Sequence, residues 1–426
     1  MEREEKLMKS NKWKFLLTGA AILTLLTACT QASSQSATTN NTAQTTATST
    51  SNSKTDSSNY FTDKDKDTSY DESTASTVKL SGSSASVSSD GVAVSGDTVT
   101  ISKAGTYVIS GESNGVQIKV EAGDSDDVHI VLKGVTMTNT NAPISATKAG
   151  HVYLTLADGT TNTLSDSSSN SDEDADAVIF SKGDLTINGS GTLNIDAKKN
   201  NGIKANDTLH ITGGTYKITA VGDAFNVNDE LNITGTTMTI DADEDAVKVD
   251  NDEDTSIGTM YLSDNTMTIS AGDDGIHASG DLVIDSGTYK VSESAEGLEG
   301  KSITINGGDI TIYATDDGVN AANANANQDE IFFTMNGGTL NVEVGQGDTD
   351  PIDSNGNVTV TGGTINLTGQ SGFDFDGTAT YTGGDIYING EKQTEIVNSM
   401  PGGGGAPGGG GPQGGGPGGE PQGGGH

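Results

Sequence analysis

Residues 271–294 read AGDDGIHASGDLVIDSGTYKVSES, and residues 295–321 read AEGLEGKSITINGGDITIYATDDGVNA. Both lines carry one phrase: an acidic turn, a small residue, a short apolar run, a Gly turn, a second run, a Gly turn and a third run. The phrase begins again at Asp90, Asn114, Asn141, Asp176, Asn201, Asp223, Asp245, Asp274, Glu296, Asp317, Asp350 and Ser371. The steps from 201 to 223, 223 to 245, 274 to 296, 296 to 317 and 350 to 371 are 21 or 22 residues. Self-similarity at a fixed period marks a solenoid, in which each repeat buries its apolar side against the next.

Strand side chains alternate between two faces. Aligning the third run of each repeat gives an apolar column from Leu193 through Tyr216, Met238, Met267 and Tyr289 to Ile386. Two residues on, a second column runs from Ile195 through Ile218 and Ile240 to Ile388, and the residues between are polar except Tyr387. The apolar member keeps its phase, so coils stacked in register bury it. The expected architecture is all-β, a right-handed parallel β-helix of about twelve coils with about 22 residues each. Leucines are too few for a leucine-rich repeat. Tyr216 and Tyr289 fall in the inward column and belong to the core; Tyr313 and Tyr387 fall outward, where a ring can stack on a sugar.

Composition narrows the function. The net charge is −37, which excludes a nucleic-acid binder, because that needs a basic face. Arginine occurs only at Arg3, so no guanidinium clamp follows it. A single cysteine excludes a disulfide framework.

That cysteine has another use. Residues 1–28 have a basic start (Lys9, Lys12, Lys14) and an apolar stretch from Phe15 to Leu26, too short for a comfortable membrane span. The stretch ends in Leu26-Thr27-Ala28-Cys29, which resembles the lipobox of bacterial lipoproteins. The resemblance implies cleavage before Cys29, lipidation of its thiol, and a membrane-anchored chain on the extracellular face. Residues 29–59 are a Ser/Thr-rich segment that buries too little apolar surface to order, and read as a tether. Residues 60–398 hold the repeats, and residues 399–426 are a Gly/Pro-rich tail expected to be disordered. A monomer is expected.

The first run of each repeat places Lys204, Asn226, Lys248, His277, Glu299, Asn320, Asp353 and Asp374 outward in one column. Beside it lie the acidic turns: Asp223, then Asp243, Glu244 and Asp245, then Asp273 and Asp274, Glu296, Asp316 and Asp317, and Asp350. Carboxylates stacked about 4.8 Å apart repel, by roughly 3 kcal/mol per pair at an effective dielectric near 20. A divalent cation turns that repulsion into attraction, and calcium takes oxygen ligands in flexible geometry. These acids are therefore the expected calcium ligands. Zinc does not fit, with no ligand cysteine and His277 isolated. For any single Asp, a preference for the turn conformation is a sufficient reason by itself. Both long insertions, VDNDEDTSIG (249–258) and AANANANQDE (321–330), follow this same run, and elaboration on one side of a solenoid marks its binding side. Lys248, His277, Glu299, Asn320, Asp353, Asp374, Tyr313 and Tyr387 are the expected carbohydrate contacts.

The phrases GTYVISG (105–111), NGIKANDTLHITGGTYKITA (201–220), EDAVKVDN (244–251), DDGIHASGDLVIDSGTY (273–289) and DDGVNAAN (316–323) resemble the bacterial secreted carbohydrate-binding β-helix family, over about residues 75–395. That resemblance implies a fold like that of polysaccharide lyases, polysaccharide binding with bound calcium, and no demonstrated catalysis. The chain departs from it in having no tryptophan after Trp13. A lyase or polygalacturonase-like hydrolase is the rival reading. A lyase needs a base, usually Arg in such folds, and Lys248 is the one lysine set between acidic turns. Gly272-Asp273-Asp274 resembles the polygalacturonase G-D-D, but the accompanying G-H-G and R-I-K are absent. A structural adhesin or cell-wall spacer is the third reading.

Overall fold

The structure is a computed structural model that describes residues 59–399, apart from Asp90, Asp252, Glu253, Thr255 and Asp348. The signal segment, Cys29, nearly all of the tether and the Gly/Pro tail lie outside the described residues. Among the described residues the chain forms one hydrogen-bonded sheet of 36 strands, plus a 3-10 turn at Gln328–Glu330.

The repeat phrase translates directly into strands. Asn201–Ala205 pairs in parallel with Phe225–Val227, Thr208–Thr212 with Glu230–Thr234, and Thr215–Ala220 with Thr237–Ala242. Each of these strands thus pairs with the strand three further on, as a β-helix or solenoid requires. The three strands of a repeat lie on three faces. The registers match the sequence columns: Leu193, Tyr216, Met238, Met267 and Tyr289 are successive partners on the third face. Ile203, Phe225, Val247, Ile276 and Leu298 do the same on the first. All of these residues are buried, including Tyr216 and Tyr289 as expected. Among the described residues antiparallel pairing occurs only at Ser76–Gly82 with Ser84–Val87, Val92–Ser95 with Thr98–Ile101, and Asp385–Ile388 with Glu391–Lys392. Such hairpins shield strand edges that would otherwise pair with another chain.

The small residue after each acid has a steric cause. A Cβ built on Gly297 would lie 2.4 Å from the Gly318 carbonyl oxygen and 2.3 Å from Ile312 Cγ2. The same clash recurs at Gly318, 2.7 Å from the Pro351 oxygen. The next coil's backbone passes where a side chain would stand. Gly297→Val is therefore expected to cost at least about 1–3 kcal/mol through overpacking. An unchanged thermal midpoint would show that the coils separate here without penalty.

A segment without repeat character, residues 59–71, lies across the outside of the second face. Tyr60 stacks on Tyr261 (3.7 Å between centroids, 7° between planes), and Phe61 is buried beside it. Asp65, 2% exposed, accepts a hydrogen bond from Thr186 Oγ1 at 2.6 Å. Its backbone oxygen accepts from Thr212 Oγ1 and Asn188 Nδ2. This strap fastens the start of the body to coils more than a hundred residues away in sequence.

Candidate functional site

The acidic turns form a ladder on the first face. Asp223 N–H donates to Asn201 Oδ1 (3.1 Å), Asp245 N–H to Asp223 Oδ1 (3.0 Å), and Asp274 N–H to Asp245 Oδ1 (2.8 Å). Glu296 N–H donates to Asp274 Oδ1 (3.2 Å), and Asp350 N–H to Asp317 Oδ1 (2.7 Å). One side-chain oxygen of Asn201, Asp223, Asp245, Asp274 and Asp317 thus holds the next coil's backbone, and Asp223, Asp245 and Asp274 are buried in doing so. The outer members of the acidic runs, Asp243, Glu244, Asp273 and Asp316, are exposed.

The second oxygen of Asp223, Asp245 and Asp274 faces the outward column, whose members are register partners from Lys204 through Asn320 to Asp374. Here the column changes character along the stack. Lys204 Nζ pairs with Asp176 at 2.7 Å, Asn226 Nδ2 donates to Asp223 Oδ2 at 2.5 Å, and Lys248 Nζ pairs with Asp245 Oδ2 at 2.8 Å. At Asp223 and Asp245, expected calcium ligands, both oxygens are already engaged. His277 is not isolated, as the sequence suggested: its Nδ1 lies 3.2 Å from Glu299, 3.4 Å from Asp274 and 3.8 Å from Asp245. Burial disfavours the imidazolium, but Asp274, Glu299 and Asp245 outweigh it and raise His277 to about 9. These carboxylates favour the imidazolium, and Asp245, Asp274 and His277 also bring one ligand atom each within 4.8 Å of one another.

Beyond His277 the cations run out. Burial, then the neighbouring Asp274, pushes Glu299 up to about 8, while bonds from His277 and Glu299 overcome burial to keep Asp274 below its ordinary value. Burial with Asp274, Asp317 and Asp316 raises Glu296 to about 7. Asp274, Glu296 and Glu299 bring carboxylate oxygens within 4.8 Å of one another. Beside them, Asn320 Nδ2 donates to Glu296 (3.0 Å), while Asn320 Oδ1 is buried without a hydrogen-bond partner.

Further on, Asp317, Asp350, Asp353 and Asp374 line a cavity of about 520 Å3 with Thr349, Gln370 and Ser371. Among the described residues Asp317, Asp350 and Asp353 make no ion pair. Burial and the surrounding carboxylates push Asp353 up to about 7 and Asp317 to about 6. Excess negative charge here is relieved by retaining protons, or by taking up a cation.

A calcium ion suits this stretch: the donors are carboxylate oxygens, and Asn320 Oδ1 is a buried carbonyl oxygen without a partner. Tyr313 and Tyr387 are elsewhere, on the third face, so the structure separates the expected carbohydrate contacts into two groups. Sequence reading missed the ladder bond and the His129–Tyr153 and His210–Asn232–Tyr261 partners beneath the strap. The shared phase of Asn201, Asp223, Asp245 and Asp274 was the available signal for the ladder.

Comparison with known proteins adds a family to this geometry. A carbohydrate-binding domain-containing protein of Acetivibrio thermocellus is 37% identical over 126 residues, covering 28% of this chain and 44% of the relative. The chain thus spans less than half the length of that relative. A gadolinium derivative of the polysaccharide lyase-like protein from C. thermocellum aligns with TM-score 0.44 and 25% identity, over 77% of this chain and 98% of that one. The pattern of the family described as carbohydrate-binding domain-containing protein matches residues 95–349 and 275–401, most of the sequence. The chain belongs to this carbohydrate-binding domain family.

Proposed function

We propose that this chain is a monomeric, non-catalytic surface lipoprotein that binds polysaccharide. In this reading Cys29 carries the lipid anchor, and the repeats wind as a right-handed helix of about twelve coils. Calcium sits at the acid-rich end of the first-face column and bridges to the carboxylates of a uronate-containing glycan. One observation carries the reading: the column passes from paired acids at Asp223 and Asp245 to Asp317, Asp350, Asp353 and Asp374 around an open polar cavity. Asp274, Glu296 and Glu299, with Asn320 Oδ1, are a second oxygen donor set, in which a cation would replace His277 at Asp274 and Glu299. A chain of net charge −37 repels a uronate polymer unless a cation intervenes.

Lys248 supports binding over elimination. A lyase base must accept a proton, but Lys248 is held as a cation by Asp245, with its pKa raised against the cost of its burial.

The test is thermal unfolding of the intact chain with chelator, with calcium, and with calcium plus polygalacturonate. A ligand that binds only the folded state raises stability by RT ln(1 + [L]/Kd). The expected result is a rise with calcium and a further rise with polygalacturonate that requires calcium. A midpoint indifferent to chelation would reduce the column to solvated turns.

A further inference from the structure

The third face holds a second concavity with different chemistry. Asp309–Ala314, Thr339–Val344, Thr364–Thr368 and Asp385–Ile388 pair there in parallel. Their registers place Thr311, Asn341, Asn366 and Tyr387 in one outward column, and Tyr313, Glu343 and Thr368 in the next. A groove of about 440 Å3 opens between Lys290, Tyr313, Asn341, Glu343, Asn366 and Thr368. Tyr313 is 39% exposed, the most exposed large aromatic among the described residues.

We propose that this groove is a separate, cation-independent site for a segment of an extended, neutral glycan chain lying along the stack between Tyr313 and Tyr387. The inference rests on the polysaccharide-binding reading, and adds a place and a ligand class that the acidic column does not supply.

The lining selects this ligand. Asn366 Nδ2 donates to Asn341 Oδ1 at 2.8 Å, and Asn341 Nδ2 to Thr311 Oγ1 at 3.4 Å. Asn341 Nδ2 also donates to the Ile310 carbonyl oxygen at 3.4 Å, so the amides are aligned along the stack and Asn366 keeps a further N–H for a hydroxyl-rich ligand. Among the described residues, the Tyr313 hydroxyl, Lys290 and Glu343 make no hydrogen bond or ion pair. One lysine and one glutamate leave the groove with no net charge, in a chain of −37. Such a lining favours neither an anionic nor a cationic polymer. Every strand here is paired on both sides, or ends in the Glu391–Lys392 hairpin, so no free edge is offered to a peptide strand.

The spacing fits a chain of sugars. Tyr313 and Tyr387 stand three coils apart, about 14 Å along the stack, and two positions apart across it, about 7 Å. Polar groups recur once per coil between them, and a pyranose in an extended chain advances by close to one coil's rise. Tyr387 stands one coil beyond Asn366 in the same column, with Lys392 Nζ 5.9 Å from its ring centre.

The test titrates neutral hexasaccharides (β-1,4-glucan, β-1,4-mannan and β-1,3-glucan) into the intact chain in the presence of EDTA, followed by calorimetry. At least one should bind, and Tyr313→Ala and Tyr387→Ala should each weaken it about tenfold. Asn366→Ala should also weaken it, while Asp353→Asn should leave it unchanged. Tyr313 is a surface position, so its variant keeps the fold, which an unchanged thermal midpoint checks. Binding that survives both tyrosine substitutions, or that needs calcium or Asp353, overturns the proposal. Absence of hexasaccharide binding, with calcium-dependent polygalacturonate binding intact, overturns this site and leaves the acidic column standing. Absence of both refutes the polysaccharide reading itself.

Discussion

Asp245→Ala is expected to destabilise the body by about 3 kcal/mol, and Asp245→Asn by clearly less. Asp245 is 2% exposed and performs two tasks. Its Oδ1 accepts the Asp274 N–H, and its Oδ2 pairs with Lys248. Removing one partner of a buried pair costs about 3–5 kcal/mol, because the other charge is left uncompensated. Lys248 is 25% exposed and can turn partly to water, which places the cost at the low end. Alanine also orphans a buried N–H, at about 1–3 kcal/mol. Asparagine keeps an oxygen for that N–H and loses only the charge. Urea unfolding of the two variants separates these contributions. Equal losses would mean that the ladder bond contributes nothing.

Asp65→Ala should release the strap without unfolding the coils beneath it. Burial works against the Asp65 carboxylate, but His210, then hydrogen bonds from Thr186 and Thr62, hold its carboxyl well below the usual range. His210 Nδ1 lies 3.2 Å from Asp65 Oδ2, a charge contact and not a hydrogen bond. Its Nε2 faces Glu230 Oε1 at 3.4 Å and the Asn232 amide at 3.3 Å. Burial works against the imidazolium, yet Asp65 and Glu230 raise it to about 9. The sign follows from linkage: a raised histidine contributes stability fully present below its unfolded value near 6.5 and lost as pH climbs through about 9. The lowered Asp65 contributes above about 3.9 and fails as pH falls further. Docking should therefore be tight at neutral pH and loosen above about 9. Local opening of such a segment is read by proteolysis. Trypsin cleavage after Lys66, scaled to a control peptide, should be slow at pH 7, faster at pH 9.5, and fast throughout in Asp65→Ala. Equal rates in native and variant chains would show that the aromatic contacts of Tyr60 and Phe61 hold the strap alone.

The columns were legible in the sequence because a period of two within a period near 22 leaves little freedom. Leu193 to Ile386 and Ile203 to Leu298 have the partners that alignment by phrase assigns them. The outward placement of Tyr313 and Tyr387 was legible for the same reason. The strap was not, since residues 59–71 have no period and their anchors at Thr186, His210, Asn232 and Tyr261 lie far along the chain. The candidate site was half legible. Acids at most coil starts were plain, but a sequence does not say which oxygen holds the next coil. Nor does it show that Lys248 and His277 neutralise the early rungs and leave the late ones in excess. That gradient is a property of stacked neighbours, and it moves the expected calcium towards the later coils.

The most direct test of the central claim is calorimetric titration of polygalacturonate into the intact chain, with calcium and then with EDTA. Calcium-dependent binding that is lost in EDTA, and weakened by Asp353→Asn together with Asp374→Asn, is the predicted result. Binding of equal strength in EDTA, or unaffected by those two substitutions, would contradict it.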